Sequence, residues 1–223
     1  MTLKEAMVER HSVRRFTEQK LDDAAVSELQ KAIDECNKKS GLNIQLILNE
    51  PEAFGSGMAK YGNFENCSNY IAIAGKKNAD EICGYYGEQI VLLAQQLGLN
   101  TCWVALTFNK SKAVYELNDG EKLLIVIALG YGQTQGKTRP SKPIEELCTV
   151  KNGEMPDWFK SAMIAVMLAP TAVNQQKFHF TLDGNRVEAK TSFGFYSKID
   201  LGIAKYHFEV GAGNADFVWA EED

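Results

Sequence analysis

Residues 80–99 read DEICGYYGEQIVLLAQQLGL, and this stretch decides the architecture. Its length and apolar spacing predict one long buried helix, in which Gly84 and Gly87 permit the close approach of another backbone or of a flat ligand. Strand-like runs lie on both sides of it: Asn43 to Asn49 (NIQLILN) and Tyr70 to Gly75 (YIAIAG) before, Thr101 to Leu106 and Leu123 to Leu129 after. Strands around a buried helix predict an α+β fold, with a central mixed sheet flanked by helices.

Working outward, the N-terminus opens on Thr2 followed by Glu5, a capping-box pattern, and Leu3, Ala6, Met7 and Arg10 then fall on one helical face. Arg10 thus lies on the inward stripe, where a guanidinium needs an anion or hydrogen-bonding partners. A second helix starts near Asp22, turns Val26, Leu29, Ile33 and Cys36 inward and stops at Ser40-Gly41. The Gly-rich segment from Pro51 to Cys67 is long for a connection, and its part from Phe54 to Phe64 is expected to border a ligand pocket as a lid. A short helix is expected from Lys112 to Leu117. Residues around Lys151 to Pro156 read as a linker, which divides the chain into 1–150 and 151–223. Beyond it come an apolar helix ending at Ala169-Pro170 and a hairpin turning at Asp183-Gly184-Asn185. A helix from about Asp200 to Ala212 and a strand from Asp216 to Trp219 complete the chain. The helices at Tyr86-Gly87 to Gly98 and Leu201-Gly202 to Gly211 echo each other, which fits either two related halves or a coincidence of two amphipathic helices.

Composition narrows the function classes. A formal charge of -5 and pI near 5.4 lack the Lys/Arg surplus of a nucleic-acid binder, so any anion site must be a local basic cluster. The five cysteines, Cys36, Cys67, Cys83, Cys102 and Cys148, form no C-x-x-C pair, which fits a reducing cytosol better than a disulfide framework. His11, His179 and His207 have no metal-ligand spacing, and no metal is expected. No apolar run reaches membrane-spanning length, and the chain reads as soluble and cytoplasmic.

Local basic clusters exist. Arg10 to Phe16, R-H-S-V-R-R-F, offers guanidinium forks and the Ser12 hydroxyl, groups suited to a phosphate, although a solvated basic helix end is the plainer reading. Lys137-Thr138-Arg139 follows a strand that ends in Gly130-Tyr131-Gly132 and could bring a second basic pair to the same anion. Gly130, Gly132 and Gly136 are one residue out of register for a dinucleotide fingerprint, and Tyr131, Pro140 and Pro143 exclude a P-loop at Gly136-Lys137-Thr138. Leu168 to Phe180, LAPTAVNQQKFHF, ends a helix at a proline and carries Asn174 and Gln176, whose amides both donate and accept.

Together these segments resemble the FMN-binding elements of the nitroreductase family. R-H-S-V-R-R-F is similar to its N-terminal phosphate motif, Ala169 to Gln176 to its A-P-S-A-x-N-x-Q loop, Gly87 to Trp103 to its central helix and strand, and Leu129 to Pro143 to its glycine turn and basic tail. The resemblance implies FMN bound by Arg10, His11, Ser12, Arg14, Ala105, Leu106, Lys137, Arg139, Pro170, Thr171, Ala172, Asn174 and Gln176. It implies NADH or NADPH as hydride donor, a nitroaromatic or quinone-like acceptor, and chemistry carried by the flavin rather than by a catalytic side chain. The alternative is a flavin-binding protein of the same fold that stores or senses FMN without turnover. The A-P-T-A loop lies near the C-terminus here rather than close behind the N-terminal motif, Lys177-Phe178 replaces the usual Pro-Trp, and Ala105-Leu106-Thr107 replaces a glycine-rich turn. The displaced loop suggests the subgroup in which one chain supplies both halves: an intrachain pseudo-dimer, as a monomer or weak homodimer, with 1–150 as the FMN-binding half and 151–223 completing the site.

Overall fold

A computed structural model of the chain describes residues 1–55 and 57–220. In chain order its elements are α1 (Leu3–Glu9), α2 (Asp23–Ser40), β1 (Asn43–Ile47), α3 (Glu52–Gly55), α4 (Ala59–Gly62), β2 (Asn69–Gly75), α5 (Asp80–Gln96), β3 (Asn100–Val104) and β4 (Lys122–Gly130). They continue with α6 (Ile144–Leu147), β5 (Cys148–Val150), α7 (Asp157–Val166), β6 (Phe178–Asp183), β7 (Arg186–Thr191), α8 (Ser197–Ala212) and β8 (Val218–Trp219), with a single 3-10 turn at Ala172–Asn174. The fold is α+β as expected. Its strands form two four-stranded sheets, however, rather than one central sheet. The chain separates into two compact units: residues 1–2, 9–79 and 89–138, and residues 3–8, 80–88 and 139–223.

Unit 1 is built on the antiparallel sheet β1-β2-β4-β3. β2 lies between two partners and is buried along its whole length, which is why YIAIAG is continuously apolar instead of alternating. Tyr70, Ala72, Val126 and Ala128 from β2 and β4 share one core cluster with Val13, Phe16, Phe54, Cys102 and Phe108. The second helix forms as its signals predict. Asp22 accepts from the Ala25 amide at 2.7 Å, Gly41 ends the helix at φ 69°, and Ala25, Leu29, Ile33 and Cys36 are buried while Val26 is only half-buried. Asn37 fastens α2 to β1, accepting from the Ile44 amide at 2.8 Å and donating to its carbonyl at 2.9 Å.

The helix expected at Lys112 to Leu117 does not form. Side chains far away in sequence take the backbone groups a helix would need. The Tyr70 hydroxyl accepts from the Val114 amide at 2.7 Å, and Gln45 accepts from the Glu116 amide at 2.7 Å and donates to the Glu116 carbonyl at 2.8 Å. The segment from Phe54 to Phe64, of which Ser56 lies outside the described residues, holds α3 and α4, and Phe54 is packed against Phe64 at 4.7 Å between ring centroids.

Unit 2 contains the sheet β5-β6-β7-β8, with parallel outer pairs around the antiparallel β6–β7 hairpin. The hairpin turns where expected, with Gly184 at φ 64°. An aromatic core joins the sheet to α7 and α8: Phe180 stacks on Phe208 at 5.2 Å, and Phe159 and Trp219 pack on the same Phe208 ring. α8 also crosses the first turns of α5, residues 80–88. A Cβ on Gly84 would overlap the Ile199 carbonyl oxygen, and a Cβ on Gly202 would overlap that of Glu81. The contact is reciprocal, since each glycine meets the carbonyl three positions before the other. Buried beside this crossing, Glu88 bonds His207 Nε2 at 2.9 Å, while His207 Nδ1 donates to the Ala165 carbonyl at 3.0 Å. No helix among the described residues is long and apolar enough to cross a membrane.

Candidate functional site

In unit 1 the segment Arg10 to Phe16 leaves α1 after Glu9 and continues as extended chain rather than as the end of the helical stripe. Arg10 is nevertheless buried, at 5% exposure. The segment is held by the ends of the sheet. The Val13 amide donates to the Thr101 carbonyl at 3.0 Å, the Phe16 amide to Glu65 at 3.0 Å, and the Gln133 amide to the Arg15 carbonyl at 2.9 Å. Val13 and Phe16 enter the core, while Ser12 and Arg14 remain exposed. Arg14, the Ser12 hydroxyl and Arg10 all act on the buried Cys102 thiol, whose pKa burial raises and these three groups pull back down. Arg10, Ser12 and Arg14 thus all lie within electrostatic or hydrogen-bonding reach of Cys102 on β3.

The glycine turn after β4 reaches the same place. Asn100 is 1% exposed and accepts from the Gly132 amide at 2.9 Å while donating to Gln135 at 2.9 Å, which folds the turn back over β3. Gly136, at φ 79°, lies so close that a Cβ there would stand 2.6 Å from His11 Cβ and 3.3 Å from the Ser12 carbonyl oxygen. His11 Nε2 then bonds the Thr138 hydroxyl at 3.3 Å. Lys137, between those two contacts, is exposed beside the motif. Ala105 and Leu106 sit in the irregular segment that follows β3, with Leu106 largely exposed. Phe54, Gly55 and Phe64, from the expected lid, line a cavity of about 460 Å³ in this unit together with Thr17 to Lys20 and Asn66 to Asn69.

Arg139 and the loop Pro170 to Gln176 belong to unit 2. The Arg139 guanidinium donates to Asn174 Oδ1 at 2.6 Å and to the Ala169 carbonyl, so these residues, read separately in the sequence, form one assembly. Asn174 Nδ2 donates to the Pro140 carbonyl at 2.9 Å. Gln176, expected to project its amide, is only 3% exposed; its Oε1 accepts from the Ser141 hydroxyl at 2.9 Å and the Lys142 amide at 3.0 Å. Pro170 is buried and Thr171 accepts from the Gln176 amide at 3.2 Å. The Ala172 amide donates to Asp200 at 3.0 Å, and Gln175 donates to the other oxygen of Asp200 at 2.7 Å. Neither Asn100 nor Asp200 stood out in sequence. The one available signal for Asp200 was an acidic residue on the inner face of an apolar helix.

Residues 2–212 match the family model described as "Putative TM nitroreductase". The chain belongs to this family. A solved "putative nitroreductase" from Thermotoga maritima is similar to this nitroreductase-family chain at TM-score 0.67 and 25% identity, over 95% of this chain and 83% of that one. A "putative nitroreductase" from Desulfovibrio desulfuricans, solved in complex with FMN, shares the fold at TM-score 0.52 and 16% identity, over 70% of this chain and 99% of that one. A "putative NADH oxidase" from Clostridium acetobutylicum does so at TM-score 0.50 and 17% identity, over 64% and 96%. No curated protein matches the sequence.

Proposed function

We propose that this family member is an FMN-dependent oxidoreductase that takes reducing equivalents from NADH or NADPH and passes them to a nitroaromatic or quinone-like acceptor. Family membership and the FMN held by the Desulfovibrio relative support the cofactor. The observation that carries the reading is the packing of Gly136 on His11 and Ser12 and of Thr138 on His11, which brings the Lys137 segment onto the Arg10–Phe16 segment. The donor set fits a phosphate dianion: planar guanidinium groups, an ammonium and a hydroxyl, with Arg10 anchored in the interior and Arg14, Ser12 and Lys137 open to a ligand. A protein of net charge -5 must gather such cations locally.

In this reading Arg10, Ser12, Arg14 and Lys137 hold the FMN phosphate, and His11 locks the two segments together through Thr138. The backbone at Ala105 and Leu106 contributes a further flavin contact from unit 1. Pro170, Thr171, Ala172, Asn174 and Gln176 are the flavin contacts that the resemblance assigns, with Arg139 bracing their loop; the Gln176 side chain is turned inward, so its part is to hold the loop through Ser141 and Lys142. FMN, when bound, supplies the two-electron exchange; the protein positions it and tunes its surroundings. The division into an FMN-binding half, 1–150, and a completing half, 151–223, rests on the resemblance alone; Gly84 and Gly202 cross within one unit.

The test is FMN stoichiometry and dissociation constant for Arg14→Ala and Lys137→Ala. Losing one charge-assisted contact costs about 1.5–3 kcal/mol, or roughly tenfold to a hundredfold in affinity. If both variants bind FMN as the parent does, the phosphate site is elsewhere. Anaerobic bleaching of the bound flavin by NADH or NADPH separates turnover from storage; a loaded protein that neither donor bleaches is a flavin-storage or sensing protein.

A further inference from the structure

Within unit 2 the loop Thr171 to Gln176 is held in a conformation that its sequence does not favour. Val173, Asn174 and Gln176 have φ of 47°, 55° and 44°. Asparagine tolerates the left-handed region, but a β-branched valine there is strained, and Val173 is 89% exposed, so its own packing does not hold it. Strain of this kind persists only where neighbours over-determine it. The neighbours are polar. Arg139 and Pro140 fix Asn174 from one side. From the other side Asp200, in the first turn of α8, accepts from the Ala172 amide with one oxygen and from Gln175 with the other. Gln175 Nε2 donates in addition to the Phe195 carbonyl at 2.7 Å.

Asp200 is 4% exposed. Burial pushes its carboxyl up to about 6, against the lowering influence of Gln175, Ala172 and Arg139. Of the other charged groups nearby, Glu81 on α5 is paired with Lys205, Lys142 donates to the Gln176 carbonyl and Lys177 to that of Phe193, while Asp80 and Lys198 line a neighbouring cavity. Arg139 is the one that acts on Asp200. The protein thus keeps an acid where ionisation is disfavoured, in contact with the very loop assigned to the cofactor.

We propose that Asp200 is the positioning residue of the Thr171–Gln176 loop: its two oxygens hold the Ala172 amide and the Gln175 side chain and so impose the left-handed Val173–Asn174 shape in which the loop meets its flavin. The proposal rests on the reading of this loop as a flavin contact. Asp200 touches no ligand itself and acts through Ala172 and Gln175. Both oxygens must accept. An asparagine would still accept from Ala172, but its NH₂ would face Gln175 Nε2, donor against donor. Gln175 cannot turn round, because its Oε1 would then face the Phe195 carbonyl.

The sign of the pH effect follows from linkage. Burial raises the Asp200 pKa and the loop contacts lower it, so releasing the loop while α8 keeps the carboxyl buried removes the lowering influences and raises the pKa further. Acid therefore favours release, in a window that begins above pH 6 and ends near it, at the carboxyl's value in the held loop. The experiment compares the parent with Asp200→Asn and, as a variant that buries no new group, Gln175→Ala. In flavin-free protein, amide-exchange protection factors over residues 169–177 should fall about tenfold or more in both variants at pH 7.5, where the parent acid is mostly ionised. FMN affinity should fall about tenfold with them. At pH 5 the parent's protection should drop toward that of Asp200→Asn. Unchanged protection in both variants overturns the proposal, as does parental protection that rises on acidification, because the carboxyl would then be exposed when the loop opens. A parent that binds no FMN while the exchange results hold overturns the flavin reading and leaves the clamp on the loop standing.

Discussion

Adding one methyl group at the α5–α8 crossing should push the two helices apart. In Gly84→Ala the new Cβ would overlap the Ile199 carbonyl oxygen and stand 3.0 Å from the Ile203 nitrogen. In Gly202→Ala it would overlap the Glu81 carbonyl oxygen and stand 2.8 Å from the Tyr85 nitrogen. Both obstacles are backbone, so no rotamer change relieves them and the helices must move. Overpacking of this kind costs about 1–3 kcal/mol, and a backbone clash belongs at the upper end. Alanine's better helix propensity returns about 1 kcal/mol. The net loss is about 2 kcal/mol for either variant, or a fall in Tm of about 4–8 °C for a chain of this size. Because the contact is reciprocal, the first methyl already opens the space the second needs. The double variant should therefore lose less than about 1 kcal/mol beyond a single one. Thermal unfolding of flavin-free protein, followed by circular dichroism, measures all three. Singles within about 2 °C of the parent would refute the close approach, and a double variant with the summed loss would refute the shared crossing.

Tyr70→Phe removes the hydroxyl that accepts from the Val114 amide and bonds Glu50 at 3.0 Å, leaving that amide without its acceptor. The expected cost is about 1–3 kcal/mol in urea denaturation, with faster proteolysis at 110–117; unchanged stability would mean that the tyrosine does not pin this segment. Glu88→Ala leaves His207 with an unmatched ring nitrogen in the core of unit 2, where both side chains are fully buried. A loss of about 3–5 kcal/mol is expected, and less than about 1 kcal/mol would show that the pair is not a structural unit.

What could be read from the sequence was what neighbours in sequence decide. Asp22 and Gly41 mark the ends of α2 because a cap acts within a turn of the residue that makes it. Gly184 marks the hairpin for the same reason. The missing helix at Lys112 to Leu117 was illegible because its backbone is claimed by Tyr70 and Gln45, more than 40 residues away. The division into two sheets depends on which strands find one another, and strand periodicity says nothing about that. The basic cluster shows the boundary between the two kinds of information. R-H-S-V-R-R-F and Lys137 were both visible, yet it takes Gly136 pressed on His11, and Thr138 bonded to it, to say that they are neighbours.

The echo between the two glycine-bearing helices illustrates the same limit more sharply. Aligning Gly87 with Gly202 was reasonable, since each begins an apolar helix and is followed by a second glycine. The crossing instead pairs Gly84 with Gly202. A glycine is required where two backbones meet, and spacing along one helix cannot identify that point without knowledge of its partner. Once the partner is known, the geometry tests itself: Gly84 meets Ile199 and Ile203, three before and one after Gly202, while Gly202 meets Glu81 and Tyr85, three before and one after Gly84. Any two right-handed helices that touch are related by a local twofold at their closest approach, so the matching offsets follow from a glycine standing at that point on both helices and do not by themselves make the two helices a repeat. Around their glycines the helices read EICGYY and IDLGIA, with little in common but the glycine itself, so what this crossing selects is the missing side chain and not a shared sequence.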